Sequence, residues 1–294
     1  MASKSKSRKM KAAARKPLRK TPAKTAREAP ARPLGASRET SYWHDTRTAN
    51  NSAAFFLPYL KPGMSLLDCG CGPGTITIGL GEAVAPGRVV GIDLYEPRLE
   101  QARALAAERG ADNVSFQVAG VYELPFEDDT FDAAFENSML EHVDDPEKAA
   151  REIHRVIRPG GVFGARDADH DGRLWGSLPP ALNDLPDFIE AFRSHQGTNY
   201  YLGKELRGLL RHAGFENVIA SASVESQGTT KAMMRQAGRM VVVLEAPDTR
   251  QIALDHQLAD EATLKRWAVA MREWGAHPDS FHAVIHCEAV GWKE

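Results

Sequence analysis

The sequence predicts an α/β protein built on a doubly wound, mostly parallel β-sheet. Short apolar segments alternate with segments of helical periodicity, and the apolar segments contain few polar residues. Strands that are apolar on both faces are typical of a parallel sheet covered by helices on both sides. A glycine-rich turn directly follows the first strand, where open parallel sheets bind their ligands.

The predicted elements follow one another from about residue 41. An amphipathic helix is expected in 46–60, stopped by Pro62-Gly63. The strands are predicted at 64–67, 88–93, 113–119, 131–137, 162–168, about 218–224 and 281–292. Helices are predicted at 75–84, at 96–110, from 146 to the Pro159-Gly160-Gly161 stop, in 203–218, and through most of 228–280. The helix at 96–110 has an acid at its start and glycine at its end, as is typical of helix ends.

The composition predicts a soluble intracellular protein. With 294 residues, 43% of them hydrophobic, the chain is long enough to bury a sizeable core. No apolar run approaches the roughly 20 residues that span a bilayer. Three cysteines are too few for a disulfide framework, which favours a reducing compartment, and we expect a cytoplasmic location.

Residues 1–40 form a basic segment with 13 Lys and Arg against two acids, whereas the remaining chain has 24 basic and 37 acidic residues. Such a Lys-, Ala- and Pro-rich stretch predicts a disordered tail ahead of one domain at 41–294. Three roles are open: solubilisation, loose binding to nucleic acid or anionic lipid, and, less favoured, a mitochondrial presequence.

The turn in "LLDCGCGPGTITIGL" (66–80) is compatible with a limited set of ligands. No lysine follows its glycines, which excludes a nucleoside triphosphate loop. Asp68 would place negative charge beside the pyrophosphate of a dinucleotide, whereas it would favour the cationic groups of S-adenosyl-L-methionine. Asp93 ends the second strand 19 positions after Gly74. An acid at that distance binds ribose hydroxyls, although Asp93 could instead cap the following helix.

Three segments together resemble the class I S-adenosylmethionine-dependent methyltransferases, in particular the ubiquinone and menaquinone C-methyltransferases. They are "LLDCGCGPGTITIGL", "VVGIDLYEPRLEQAR" and "YELPFEDDTFDAAFENSMLEHVDDPEKAAREIHRVIRPGGVF", within residues 42–168. The resemblance implies a Rossmann-like sheet of seven strands, the last antiparallel. It also implies S-adenosyl-L-methionine as the cofactor.

The resemblance further implies a set of cofactor-binding residues. The turn around the methionine part would consist of Asp68, Gly70, Gly72 and Gly74, while Asp93 would bind the ribose. The adenine would lie near Leu94, Val121 and Tyr122, with Gly120 replacing the acid that many members carry there. The remaining contacts would come from Asn137 and Ser138 after the fourth strand and from Tyr42, Trp43 and Arg47 before the first, although Tyr42 and Trp43 could simply pack.

The stretch "RDADHDG" (166–172) holds the candidate catalytic residues, because it ends the fifth strand at the ligand-binding edge. His170 and Asp167 are predicted as candidate bases and Asn137 as a further catalytic residue, while Asp169, His142 and His195 are weaker candidates. A polar loop and a magnesium site are the alternatives for this stretch, and we predict no metal.

Two aromatic- and methionine-rich regions, 174–201 and the insert 228–280, are predicted to cover the active site. Their side chains could form a core or the wall of an apolar pocket. The favoured function is a methyltransferase acting at oxygen or carbon of a small, partly apolar acceptor that is aromatic, quinone-like or polyketide-like. The alternatives are a nucleic-acid methyltransferase recruited by the basic tail and a cofactor-fold binding module without catalysis.

Overall fold

The computed structural model describes residues 46–294, so the predicted tail at 1–40 and the candidates Tyr42 and Trp43 lie outside the described residues. The strands are β1 Leu66–Cys69, β2 Val89–Asp93, β3 Val114–Val118, β4 Phe131–Asn137, β5 Ile157–Trp175, β6 Glu216–Gln227 and β7 His282–Trp292. They form one sheet in the order β3-β2-β1-β4-β5-β7-β6. The first five are parallel, and β7 runs antiparallel to both β5 and β6. The predicted doubly wound sheet with an antiparallel last strand is thus confirmed.

Helices fill most of the connections between these strands. They are α1 Ala49–Ser52, α2 Thr75–Val84, α3 Glu96–Arg109, α4 Pro146–Val156, α5 Leu185–His195, α6 Leu206–His212, α7 Thr230–Glu245, α8 Pro247–Asp255 and α9 Glu261–Ala276. None of the helices in residues 46–294 is long and apolar enough to cross a membrane. The predicted helices at 75–84 and 96–110 are confirmed, and Gly110 ends α3 in the left-handed conformation.

The prediction of a long helix over 46–60 is wrong. Only the four residues of α1 are α-helical, and a single 3-10 turn follows at Leu57–Tyr59. The chain leaves the helix because Phe56 turns into the interior, where it is fully buried and stacks on Phe135 with ring centres 5.6 Å apart. Core packing therefore overrides the helical periodicity of this segment.

Strand β5 is longer at both ends than the predicted 162–168. At its start, Ile157 pairs with Phe131 after α4 has ended at Val156. The helix could not have continued far, because Pro159 disfavours helical backbone at the preceding residue, Arg158. At its end, the strand continues past Asp169 to Leu174 and Trp175, which pair with β7 after a shift in register. The stretch 166–172 is therefore an irregular part of a strand and not a polar loop.

The helical insert has a hydrophobic core of its own. Met233, Trp267, Met271 and Trp274 are at most 4% exposed and pack with residues of α5. Of the two alternatives for these side chains, the structure therefore favours the core over the pocket wall. The aromatic residues that reach a cleft come instead from β5 and the segment after α5.

Replacing Gly164 by alanine is expected to destabilise the fold by about 1–3 kcal/mol, the usual cost of overpacking a core. Gly164 lies buried in β5, and a Cβ there would come 2.4 Å from Cδ2 of the Phe56 ring. Urea unfolding followed by circular dichroism measures the change.

The matched control is Gly208→Ala in α6, where a Cβ would meet no heavy atom within 4 Å. Alanine there should leave stability unchanged or raise it by roughly 0.5–1 kcal/mol, because glycine is a poor helix former. Equal midpoints for the Gly164→Ala variant and wild type would contradict the packing described for Phe56.

Candidate active site

The glycine-rich turn joins β1 to α2 at the carboxyl end of the sheet. Gly70, Gly72 and Gly74 all have positive φ angles, of 72°, 54° and 80°, which side chains other than glycine rarely adopt. The turn is fixed to β2, since the Gly70 and Cys71 N–H groups both donate to the Ile92 carbonyl. It borders an open cleft of about 290 Å³ lined by Arg47, Asp68, Gly70, Cys71, Pro73, Thr75, Ile76 and Asn137.

Asp68 places a buried carboxyl group at the floor of this cleft. The Thr77 hydroxyl donates to its Oδ2 at 2.7 Å, and the side chain is 3% exposed. Burial raises the pKa of Asp68 to about 7, an effect that the Thr77 hydrogen bond opposes and the Asp93 carboxylate reinforces. A cation bound here would restore the charged form, because opposite charge favours ionisation.

Asp93 ties the glycine-rich turn to the turn after β2. Its Oδ2 accepts from the Gly72 N–H at 3.1 Å and its Oδ1 from the Tyr95 N–H at 2.9 Å. Tyr95, and not Asp93, occupies the N-cap position of α3, so the helix-cap alternative is not what the structure shows. Each carboxylate oxygen can accept more than one hydrogen bond, so Asp93 can still accept from two hydroxyl groups.

The predicted adenine side of the cleft is formed by neighbouring apolar groups. Leu94 is 67% exposed, and a Cβ at Gly120 would lie 3.4 Å from its Cδ2. Val121 is buried in the core beneath. The Tyr122 hydroxyl accepts from the Asp145 N–H at 2.8 Å, so this side chain is already used in fixing the start of α4.

Asn137 lies at the other side of the cleft, at the end of β4. Its Oδ1 accepts from Nη1 of the buried Arg166 at 2.9 Å. Ser138 follows with a positive φ angle of 56°, and its Oγ accepts from Nη2 of Arg47 at 3.3 Å. The structure thus brings together Arg47 from before β1 and Asn137 and Ser138 from after β4, as predicted for one site.

Asp167 does not line the cleft beside the glycine-rich turn. Its carboxyl is fully buried, Oδ1 accepts from the Glu141 N–H at 3.2 Å, and the side chain interacts with Glu136. Glu136 in turn accepts from the N–H groups of Met139, Leu140 and Arg166. Burial and mutual repulsion raise the pKa of Asp167 well above its ordinary range, and burial raises that of Glu136 to about 7. This carboxyl pair fixes the loop after β4, so the geometry favours a positioning role for Asp167 over that of a base.

His170 faces a second cleft of about 550 Å³ at the same edge of the sheet. This cleft is lined by His170, Asp171, Arg173, Trp175, Pro186, Asp187, Glu190, Tyr200 and Tyr201. The imidazole stacks on the Tyr200 ring with centres 4.0 Å apart. Its Nδ1 lies 2.5 Å from Arg173 Nη2, and its Nε2 lies 3.8 Å from Glu141 Oε2.

The groups around His170 determine which ring nitrogen carries the proton and whether the imidazole is charged. Arginine is a donor only, so Nδ1 of His170 accepts and the ring proton sits on Nε2, facing Glu141. Burial lowers the pKa of His170, Glu141 opposes that shift and Arg173 adds to it, so the imidazole is neutral at neutral pH. Glu141 is ionised: burial alone would raise its pKa, but His142, His170 and Arg47 lower it to about 2.

The weaker catalytic candidates, His142, His195 and Asp169, have surroundings different from those of His170. His142 Nε2 lies 3.4 Å from Glu141 Oε1, and its Nδ1 lies 3.3 Å from the Thr198 hydroxyl. His195 stacks on His256 within the helical cover and lines neither cleft. Asp169 Oδ2 accepts from the Lys204 N–H. Within residues 46–294, no group of three or more His, Cys, Asp or Glu side chains is arranged to hold a metal ion.

Several polar residues near the clefts were not predicted: Glu141, Arg166, Arg173, His282, His286 and Glu288. In the antiparallel pair of β5 and β7, Arg166 lies opposite Glu288, and Ala168 lies opposite His286. Directly opposite residues share one face of a sheet, so these side chains line the face opposite to that of Asp167. The alternation of His282, His286 and Glu288 with small or apolar residues in β7 is the signal that could have revealed this face.

Comparison with known proteins agrees with this geometry. Residues 60–238 match the family model described as "Methyltransferase domain". The chain belongs to this methyltransferase family. It is 30% identical over 293 residues to the probable methyltransferase ltbC of Aspergillus luteorubrus, covering 88% of this chain and 96% of that protein.

Other relatives place the methyltransferase in the same class. It is 39% identical over 172 residues to the ubiquinone/menaquinone biosynthesis C-methyltransferase UbiE of Bdellovibrio bacteriovorus, covering 57% of this chain and 72% of that protein. The solved YcgJ protein of Bacillus subtilis shares the fold, with a TM-score of 0.55, 19% identity, and coverage of 83% of this chain and 99% of that chain. The protein is therefore an S-adenosylmethionine-dependent methyltransferase of the class I fold, as the sequence predicted.

Proposed function

We propose that this methyltransferase methylates an oxygen or carbon atom of a small, partly apolar aromatic acceptor, held in the cleft beside His170. The observation that carries the proposal is the juxtaposition of two clefts at one edge of the sheet. One has a buried carboxyl and a glycine-rich turn, and the other has aromatic walls and a neutral imidazole. The name of the Bdellovibrio relative, which refers to quinone biosynthesis and carbon methylation, supports this class of acceptor.

The first cleft has the chemistry that S-adenosyl-L-methionine requires. When bound, the cofactor supplies a methyl group on a positively charged sulfur. Asp68 would stabilise its cationic groups, Asp93 would accept from the ribose hydroxyls, and Leu94 and Val121 would contact the adenine. Gly70, Gly72 and Gly74 keep side chains out of the turn, and Asn137 faces the cleft from the opposite side.

In this proposal, His170 takes the proton of an acceptor hydroxyl. The O–H bond breaks and the proton moves to Nδ1, while Arg173 moves from Nδ1 to the resulting oxyanion. The ionised Glu141 then stabilises the imidazolium through Nε2–H, as a carboxylate orients and stabilises a catalytic imidazole. The oxyanion, or the aromatic carbon that it activates, is the nucleophile, and the proton on His170 is afterwards released to water.

The proposal is tested by incubating the full chain with methyl-labelled S-adenosyl-L-methionine and a cell extract, then separating small molecules from polymers. Label in an aromatic small molecule supports it, and loss of that label in an Asp93→Ala variant shows that the chain itself is responsible. Label confined to RNA or DNA would overturn it and would favour the nucleic-acid function predicted from the basic tail.

The affinity for S-adenosyl-L-methionine is expected to rise as the pH rises through about 7. Asp68 has a raised pKa of about 7, so it is neutral below that pH and becomes the anion that attracts a cation above it. Binding at pH values just below 7 should therefore release a proton, which calorimetry in buffers of different ionisation enthalpy measures. In the Asp68→Asn variant, whose side chain can still accept from Thr77, the pH dependence of the affinity and the release of a proton should both vanish. Affinity that is equally pH-dependent in the variant would refute this assignment.

A further inference from the structure

The cleft beside His170 contains a guanidinium group without a carboxylate partner among residues 46–294. Arg173 Nη2 contacts His170 Nδ1, whereas its Nε is buried and has no hydrogen-bond partner among the described residues. Of the three carboxylates that line the cleft, Asp171 pairs with Lys204 at 2.9 Å and Glu190 accepts from the Tyr201 hydroxyl, while Asp187 is exposed to solvent. Arg173 thus has donor capacity that the described part of the protein does not use.

A second guanidinium, that of Arg193, interacts electrostatically with Arg173, although it is not among the residues that line the cleft. Burial lowers the pKa of both Arg173 and Arg193, and Arg193 lowers that of Arg173 further, whereas the Glu141 carboxylate raises the pKa of both. Arg193 Nη1 donates to the neutral Gln196 amide at 3.1 Å. Bringing two cations together away from water is unfavourable unless an anion joins them. Glu141 is a single carboxylate shared by the two guanidinium groups and the rings of His142 and His170, so the arrangement favours one further anion, a negatively charged ligand.

The walls beside Arg173 are aromatic. Its Cζ lies 5.7 Å from the centre of the Trp175 ring and 5.6 Å from that of Tyr200, and Tyr201 and Pro186 complete the apolar lining. A guanidinium binds planar oxyanions through paired N–H groups, and rings on either side favour a flat molecule. Before an acceptor binds, Nη2 of Arg173 contacts His170 Nδ1, and its Nε is the donor that has no partner among the described residues.

We propose that the acceptor is a planar aromatic oxyanion, an aryl carboxylate or an acidic phenol, and that Arg173 binds its charge with Arg193 nearby. This inference rests on the proposed function, because it identifies the substrate class of the same cleft. It assigns Arg173 as the residue that selects charged over neutral acceptors. A neutral analogue of the same shape should therefore bind less well.

The test compares matched probes by calorimetry on the full chain with S-adenosylhomocysteine present. We expect 1-naphthoate to bind about 10-fold or more tightly than 1-naphthamide, the size of effect typical of a hydrogen bond to a charged group. An acidic phenol, 4-nitrophenol in its ionised form, is compared with 4-nitroanisole in the same way. If the anion binds more tightly than its neutral analogue only in the first pair, the ligand is a carboxylate. If it does so only in the second pair, the ligand is a phenolate.

The variants separate binding of charge from general effects on the fold. Arg173→Gln should remove the preference for the anion while keeping the affinity for S-adenosylhomocysteine, and Arg193→Gln should reduce the preference. The exposed Arg207→Gln in α6 is the matched control and should behave as wild type. Equal affinities within both pairs in wild type, or a preference that survives in Arg173→Gln, would overturn the inference. Absence of S-adenosylhomocysteine binding would instead count against the proposed function, and the naphthoate comparison would still test the anion site alone.

Discussion

Replacing Asp93 by alanine is expected to lower the affinity for S-adenosyl-L-methionine by about 100-fold or more. The variant loses the acceptors proposed for two ribose hydroxyls, and hydrogen bonds to a charged group each contribute roughly 1.5–3 kcal/mol. It also leaves the Gly72 and Tyr95 N–H groups without the partner that ties the two cofactor turns together. Isothermal titration calorimetry with the cofactor measures the loss directly.

The control for this substitution is Asp112→Ala, because Asp112 is exposed and precedes β3, outside the cofactor cleft. Its affinity should equal that of wild type. If Asp93→Ala binds the cofactor within a factor of three of wild type while remaining folded, the proposed ribose contact is absent and the cofactor lies elsewhere.

Replacing His170 by glutamine is expected to lower kcat by about 10²–10⁴-fold for an acceptor methylated at or beside a hydroxyl, the usual contribution of a general base. Glutamine can still accept from Arg173 but cannot take up a proton. The affinity for S-adenosyl-L-methionine should not change, because His170 does not line the cofactor cleft. Single-turnover methylation, once an acceptor is known, measures the chemical step.

The pH profile gives a second readout of His170. Because burial lowers its pKa, the wild-type rate at saturating cofactor should stay constant through neutral pH and fall only below the ordinary histidine value of about 6.5, where the imidazole becomes charged. The exposed His212→Gln in α6 is the control and should keep both the rate and the profile. A His170→Gln variant that keeps the wild-type rate and pH profile would assign the proton to another group.

The cofactor half of the site was predictable because its residues are close together in the sequence. Asp68, the three glycines and Asp93 belong to two successive strand–turn–helix units, so strand periodicity and turn chemistry are enough to place them at one edge. Arg47 and Asn137 were placed there only through the family resemblance, and the contact that joins them passes through Ser138.

The acceptor half was less predictable because it depends on which face of a strand each residue occupies. The sequence grouped Asp167 and His170 as neighbours at the end of β5. In the structure, Asp167 lies with Glu136 in the interior, whereas His170 lies after the irregular part of the strand and contacts Arg173. Glu141 and Arg173, which complete the surroundings of His170, come from separate elements that only folding brings together.

The sequence by itself determined the parallel sheet and the cofactor turn, because these depend on local periodicity and on glycines that permit positive φ angles. The antiparallel direction of the last strand was predicted only through the family resemblance. Only the tertiary structure decided the length of β5, the packing of the helical insert as a core and the chemistry around His170. The physical reason is that the burial and charge of Asp167, His170 and Arg173 are set by neighbours distant in sequence, and periodicity carries no information about those neighbours.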